Sequence, residues 1–135
     1  MSKDIRIKKG LDLKLKGDAE KVVSVVSRSK VYAINPSDFN GVTPKMVVKE
    51  GAKVKAGEII FYSKNDESVK FVSPVSGTIQ EIKRGEKRVI LQILITADSQ
   101  DIHLEHSKKN LKDLSSQEVK EQLLASGCWP FINQR

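Results

Sequence analysis

The side chains best placed to do chemistry are His103 and His106, which stand as His-x-x-His beside Glu105. On a helix the two imidazoles would share a face and approach one metal ion. The chain holds two histidines and one cysteine, Cys128, so no further soft ligand completes a tetrahedral set, and the stretch reads as a polar loop. Cys128 has no histidine near it in sequence to lower its thiol pKa, and reads as a small packing residue. The carboxylates are scattered, with no pair set for acid–base work. No Gly-x-Gly-x-x-Gly or P-loop spacing occurs to cradle a phosphate. The hexad Lys83-Arg84-Gly85-Glu86-Lys87-Arg88 is a basic turn able to grip phosphate or an acidic partner. Glu86 dilutes it and no aromatic side chains interleave it, so nucleic acid is not expected as a partner. The expected catalytic, cofactor-binding and metal-ligating residues are therefore none.

The frame around these residues is that of one ordinary globular unit. The chain has 135 residues, 39% apolar and 30% charged, with 5% aromatic, so aliphatic side chains must fill the core. The opening MSKDIRIKKG has no apolar h-region and does not read as a signal peptide. The longest dense apolar run, Val89–Ile95, is far short of the roughly 20 residues of a membrane span. A single cysteine fits a reducing cytoplasm. The net charge of +7 is uneven: residues 1–58 hold 13 Lys/Arg against 7 Asp/Glu, and residues 59–135 hold 11 against 10. The basic first half suits an anionic surface or an acidic partner.

Hydrophobic periodicity gives the elements. Ile5 to Gly17 alternates apolar and charged residues, as a half-buried strand does, with breaks at Gly10 and Gly17. Val22, Val23, Val25, Val26, Val31 and Ile34 form a second strand-like run, which Asn35-Pro36 should end. From Met46 to Ile95, short apolar strands alternate with Gly51, Gly57, Gly77 and Gly85, all expected at turns. Val47, Ile59, Phe71, Val75, Ile79, Ile82, Leu91 and Ile93 are the expected core. Val48–Val54 and Ile82–Val89 share an apolar–charged–Gly–Lys pattern, a weak repeat consistent with two β-turn-β halves. After residue 98 the period changes. Ser115 and Glu118 form a capping-box pattern, Val119, Leu123 and Leu124 an apolar helical face, and Gly127 a C-terminal stop, which predicts one helix over about 116–126. The apolar tail Trp129-Pro130-Phe131-Ile132 should pack back on the β unit or on a further domain.

Two phrases carry a resemblance. VKEGAKVKAG, residues 48–57, and SPVSGTI, residues 73–79, resemble the paired phrases of biotinyl/lipoyl carrier domains. In those domains the modified lysine sits on a hairpin between the phrases; here Lys64, in Ser63-Lys64-Asn65-Asp66-Glu67, is displaced from that position and lacks the flanking Met or Asp. A fuller match runs along the chain: Ile7-Lys8-Lys9-Gly10-Leu11-Asp12-Leu13, then PKMVVKEG from Pro44, VKFVSPVSG from Val69, RGEKR from Arg84 and LASGCWP from Leu124. In this order and spacing the motifs resemble the N-terminal region of the A subunit of the Na+-translocating NADH:quinone oxidoreductases.

The resemblance implies a mainly β fold: a barrel-sandwich hybrid over 40–98, extra N-terminal strands over 1–39 packing on it, and over 99–135 a loop, a short helix and the start of a linker to a further domain. It also implies membership of a six-subunit bacterial pump that couples NADH oxidation and quinone reduction to sodium export. NADH, FAD, FMN, riboflavin, the iron–sulfur centre and ubiquinone are expected for the whole complex, with no cofactor in this chain. Its partners would be the other subunits of the pump, especially one in the membrane, with quinone a candidate ligand of the longer polypeptide. Its place would be the cytoplasmic face of the inner membrane, held there by those partners. The chain would serve assembly and docking, without catalytic residues of its own. The alternative is a carrier domain modified on Lys64.

Overall fold

The computed structural model describes residues 16–18, 20–108 and 110–132. The alternating segment from Ile5 lies outside the described residues as far as position 15. Seven strands follow: β1 (Val31–Ile34), β2 (Pro44–Met46), β3 (Lys53–Val54), β4 (Ile59–Ser63), β5 (Asp66–Val72), β6 (Gly77–Arg84) and β7 (Ile90–Ala97). One helix, α1 (Ser116–Ala125), comes after them. The strands make two antiparallel sheets, in the orders β1-β7-β6-β3 and β2-β4-β5. Ile60, Phe61 and Phe71 of the smaller sheet meet Ile79, Ile93 and Ile95 of the larger in one buried core. The rings of Phe61 and Phe71 stack there at 4.5 Å.

Of the four register shifts in the strand pairings, three are one-residue β-bulges that decide which side chains face that core. In the β6–β7 pairing Lys83 faces Gln92 and Arg84 faces Ile90, leaving Leu91 as an extra residue on β7. A bulge moves every residue beyond it to the opposite face. Ile90, Ile93 and Ile95 are therefore buried, while Leu91, expected in the core, is 52% exposed. Gln80 is the extra residue on β6, which lets Ile79 bury fully and Ile82, three positions on, pack against the core half-buried. Ile60 is the extra residue on β4, so Ile60 and Phe61 are both buried in succession and Ile59 is only half-buried. Val47 is the second correction to the expected core, at 55% exposed. Met46 and Val48, one residue to either side, are the ones that pack inward.

The run beginning at Val22 is also shorter than expected. Only Val31–Ile34 pairs, with β7, whereas Val22, Val23, Val25 and Val26 are 71–99% exposed and outside any strand. β-branched side chains favour a strand only where a neighbouring ladder and a buried face exist to receive them. Pro36 ends β1 as expected, opening a short 3-10 turn over Pro36–Asp38.

Gly51 and Gly57 occupy turns and Gly85 starts the β6–β7 connection, but Gly77 lies inside the sheet, opening β6. A Cβ there would stand 2.1 Å from the Thr96 carbonyl oxygen, so close backbone approach rather than a turn excludes a side chain. The two repeat-like segments also take different paths. Val48–Val54 crosses from β2 in one sheet to β3 in the other, whereas Ile82–Val89 turns back within one sheet.

The helix has the expected ends. Ser115 accepts from the Glu118 N–H and the Glu118 carboxylate accepts from the Ser115 N–H, closing the capping box. At the other end the Cys128 N–H donates to the Leu123 carbonyl and the Gly127 N–H to that of Leu124, a Schellman motif with Gly127 at φ 71°.

Candidate functional site

The two carrier-like phrases meet in space. Backbone bonds join Gly51 N–H to the Ile79 carbonyl at 2.8 Å and Ile79 N–H to that of Ala52 at 2.9 Å. A second pair joins Gly57 N–H to the Ser73 carbonyl and Ser73 N–H to that of Glu58, both at 2.8 Å. The turn-rich sequence thus has a definite use: each phrase supplies the backbone partners of the other. Between them β4 and β5 form a hairpin, with Ser63 opposite Asp66, so that Lys64 and Asn65 alone make the turn. Lys64 is exposed at this tip. Its N–H donates to the Thr43 carbonyl and the Asn65 amide to that of Gly41, which fixes the tip against the strand entering β2.

His103 and His106 do not share a helical face. The Ala56 N–H donates to the Ile102 carbonyl, and the Leu104 N–H to that of Ala56, so His103 lies in a short parallel bridge. Both histidines are exposed, and among the described residues no group of three or more His, Cys, Asp or Glu is placed to hold a metal ion. Cys128 is exposed just beyond the helix rather than packed inside.

The loop before His103 is held by Asp101. Its carboxylate accepts two bonds from the Arg28 guanidinium, at 2.5 and 2.6 Å, and a third from the Ser76 N–H at 2.8 Å. The Arg28 fork, then the Ser76 N–H, hold the Asp101 carboxyl well below the usual carboxylate range. Neither Arg28 nor Asp101 stands out in the sequence; their pairing, across 73 residues, becomes visible only in the folded chain.

The tail beyond α1 leaves an aromatic side chain, Phe131, largely exposed. A 3-10 turn over Trp129–Phe131 packs on β5, with the Lys120 ammonium 5.3 Å from the Trp129 ring centre. Phe131 meets Phe39 edge-on at 5.7 Å, and Phe39 meets Phe71 of the core at 4.6 Å. An open groove of about 440 Å³ runs along this flank between Phe39, Val69, Phe71, Trp129 and Ile132. The tail therefore returns to the β unit, one of the two outcomes expected for it, but incompletely: Phe131 remains 70% exposed.

The mutual clasp of the two phrases is the geometry of a barrel-sandwich hybrid, and a family model for the NqrA N-terminal barrel-sandwich hybrid domain matches residues 5–98. The chain belongs to that family. Among its relatives, the A subunit of the Na(+)-translocating NADH-quinone reductase of Marinomonas sp. (strain MWYL1) is 40% identical over 132 residues, 96% of this chain. Its counterpart in Haemophilus influenzae (strain PittEE) is 38% identical over 133 residues, and that of Hahella chejuensis (strain KCTC 2396) 37% identical over 133. The chain spans about 30% of the length of each of these relatives. Among the described residues no helix is long and apolar enough to cross a membrane.

Proposed function

We propose that this NqrA-type chain acts as an N-terminal module within a six-subunit Na+-translocating NADH:quinone reductase, serving assembly and docking rather than bond chemistry. The observation that carries the reading is co-linearity: the NADH-quinone reductase relatives align along 96–97% of the chain, through both the β unit and the helical tail. Its partners are the other subunits of the pump, one in the membrane first among them, at the cytoplasmic face of the inner membrane. NADH, flavins, the iron–sulfur centre and ubiquinone belong to the assembled enzyme. The half-exposed aromatic flank of Phe39, Trp129 and Phe131 is the surface best suited to a protein contact. The test is a chimera in which this chain replaces the matching stretch of the Marinomonas relative. Membranes carrying it should retain sodium-stimulated NADH:quinone reductase activity. A chimera that folds yet fails to co-purify with the other subunits sinks the reading.

One observation favours a second reading. Lys64 stands exposed at the tip of a two-residue hairpin, the geometry in which a carrier lysine meets its ligase. Intact-mass measurement after co-expression with a biotin or lipoate ligase separates the two. The docking module keeps its unmodified mass, and a carrier gains one cofactor, lost in Lys64→Arg.

A further inference from the structure

The β4–β5 turn and the β6–β7 connection, distant in sequence, converge on one cavity of about 320 Å³. Lys64 enters it from the first, and Arg84 at the end of β6 with Lys87 and Arg88 from the second, while Thr43, Pro44, Val89 and Ile90 complete the wall. No carboxylate lines it; Glu86 shares the connection but is not part of the wall. Neither of the ion pairs seen among the described residues, Arg28–Asp101 and Lys45–Glu67, involves any of these four cations. Four like charges around one small space repel, and an anion placed between them reverses the sign of that energy.

The backbone gives an independent sign. Lys87 and Arg88 have φ of 52° and 62°, the left-handed region that L side chains rarely adopt. Asn or Gly would make such a connection without strain. The chain instead places two cations at the strained positions, and the Arg84 guanidinium donates to the Arg88 carbonyl at 3.4 Å, linking the strand end to the turn. Strain kept at adjacent positions that bear the same charge points to a use for those side chains.

We propose that this cavity is a binding site for a phosphate-type oxyanion. The guanidinium forks of Arg84 and Arg88 suit the paired oxygens of a phosphate, and the ammonium groups of Lys64 and Lys87 add point charges. The volume is at the small end of ligand sites, suited to a mono- or diphosphate group rather than to a peptide strand. The same chemistry is offered by a free diphosphate and by a lipid phosphate headgroup. The site goes beyond the docking role and does not depend on it.

Calorimetric titration of the chain with inorganic pyrophosphate tests the proposal. Saturable binding of one pyrophosphate per chain is expected, weakened about tenfold by Arg88→Gln or Lys64→Gln, the effect of losing roughly one charge-assisted contact. Lys45→Gln, which removes a cation elsewhere on the surface, should leave it unchanged. Lys87→Gly should raise the melting temperature by relieving the left-handed strain while still weakening pyrophosphate, a combination that a purely structural role does not produce. Sedimentation with phosphatidylcholine vesicles containing phosphatidic acid identifies the source. Vesicle binding displaced by pyrophosphate assigns the headgroup, and its absence assigns the free anion. No saturable binding, equal loss in Lys45→Gln, or tight binding of a Glu-rich peptide that pyrophosphate does not displace, overturns the proposal.

Discussion

At the centre of the molecule Phe61 and Phe71 stack face to face with almost no surface left in water. On the C-terminal flank Phe131 touches Phe39 by an edge and leaves most of its ring exposed. The two regions are joined by Phe39, which meets Phe71 on one side and Phe131 on the other. The centre is closed by long-range pairing: β4 with β5, β6 with β7, and the backbone clasp between Gly51–Gly57 and Ser73–Ile79. The flank is held by local devices, a capping box and a Schellman turn, and by one layer of side chains on β5. The difference separates what this chain stabilises by itself from what it leaves available to another surface.

The largest effects should fall in the centre. Phe61→Ala removes a fully buried ring from a stacked pair and should cost about 3–5 kcal/mol, measured by urea unfolding. A loss below about 1.5 kcal/mol would mean that the two sheets do not share the core described. Gly127→Ala should cost less, about 2 kcal/mol. It forces a side chain on a residue at φ 71°, and the new Cβ would stand 2.5 Å from Val72 Cγ1. Its signature is regional: hydrogen exchange should rise in α1 and the tail while β6 and β7 stay protected. Equal loss of protection in β7 would make flank and centre one cooperative unit.

The same contrast explains what could be read in advance. The helix, its capping box and its glycine stop were legible because each depends on residues within a few positions of one another. The strands from β4 to β7 were legible in outline from their apolar runs, and the β6–β7 connection from Gly85. The inward faces were not, because each of the three bulges reverses a period-2 argument partway along a strand, exposing Leu91 and burying Ile60. Val22–Val26 misled for a related reason: strand-like composition does not supply a partner. The Arg28–Asp101 clamp joins residues too distant for spacing to connect, and in the cationic cavity the basic turn Lys83–Arg88 was legible but the approach of Lys64 to it was not. The cavity even lies mostly in the half of the chain whose charges nearly cancel.

Acid should act on the clamp that holds the loop after β7 before it acts on the centre. The Asp101 pKa is depressed in the folded chain, chiefly by Arg28 and then by the Ser76 N–H. Its contribution is fully present above the ordinary aspartate value of about 4. Below that value the unfolded chain takes up a proton that the folded chain resists, and the stabilisation fades as pH falls toward the folded pKa. Asp101→Asn should therefore lower the melting temperature at pH 7, with the difference from the unsubstituted chain shrinking on acidification below about pH 4. A difference constant with pH would show that the clamp holds the loop by shape and not by charge.

The smallest effect on stability is expected at Phe131, and there the comparison is sharpest. With 70% of the residue exposed, only the remaining area is removed from water on folding. Of roughly 200 Å² for a phenylalanine that is about 60 Å², worth at most about 1.5 kcal/mol at 25 cal/mol per Å². Phe131→Ser should therefore shift the unfolding midpoint little, far less than Phe61→Ala, although both remove one aromatic ring. Its effect should be on association instead. An aromatic groove left open beside Trp129 favours contact with a second surface, and in a concentrated solution of the chain the available surface is another copy. Sedimentation velocity should show concentration-dependent self-association that Phe131→Ser and Trp129→Ser both reduce. If the unsubstituted chain stays monomeric at high concentration, the flank has no tendency to dock and the assembly role assigned to it loses its support. If Phe131→Ser instead destabilises as strongly as Phe61→Ala, the tail belongs to the core in solution, and the division between a closed centre and an open flank is wrong.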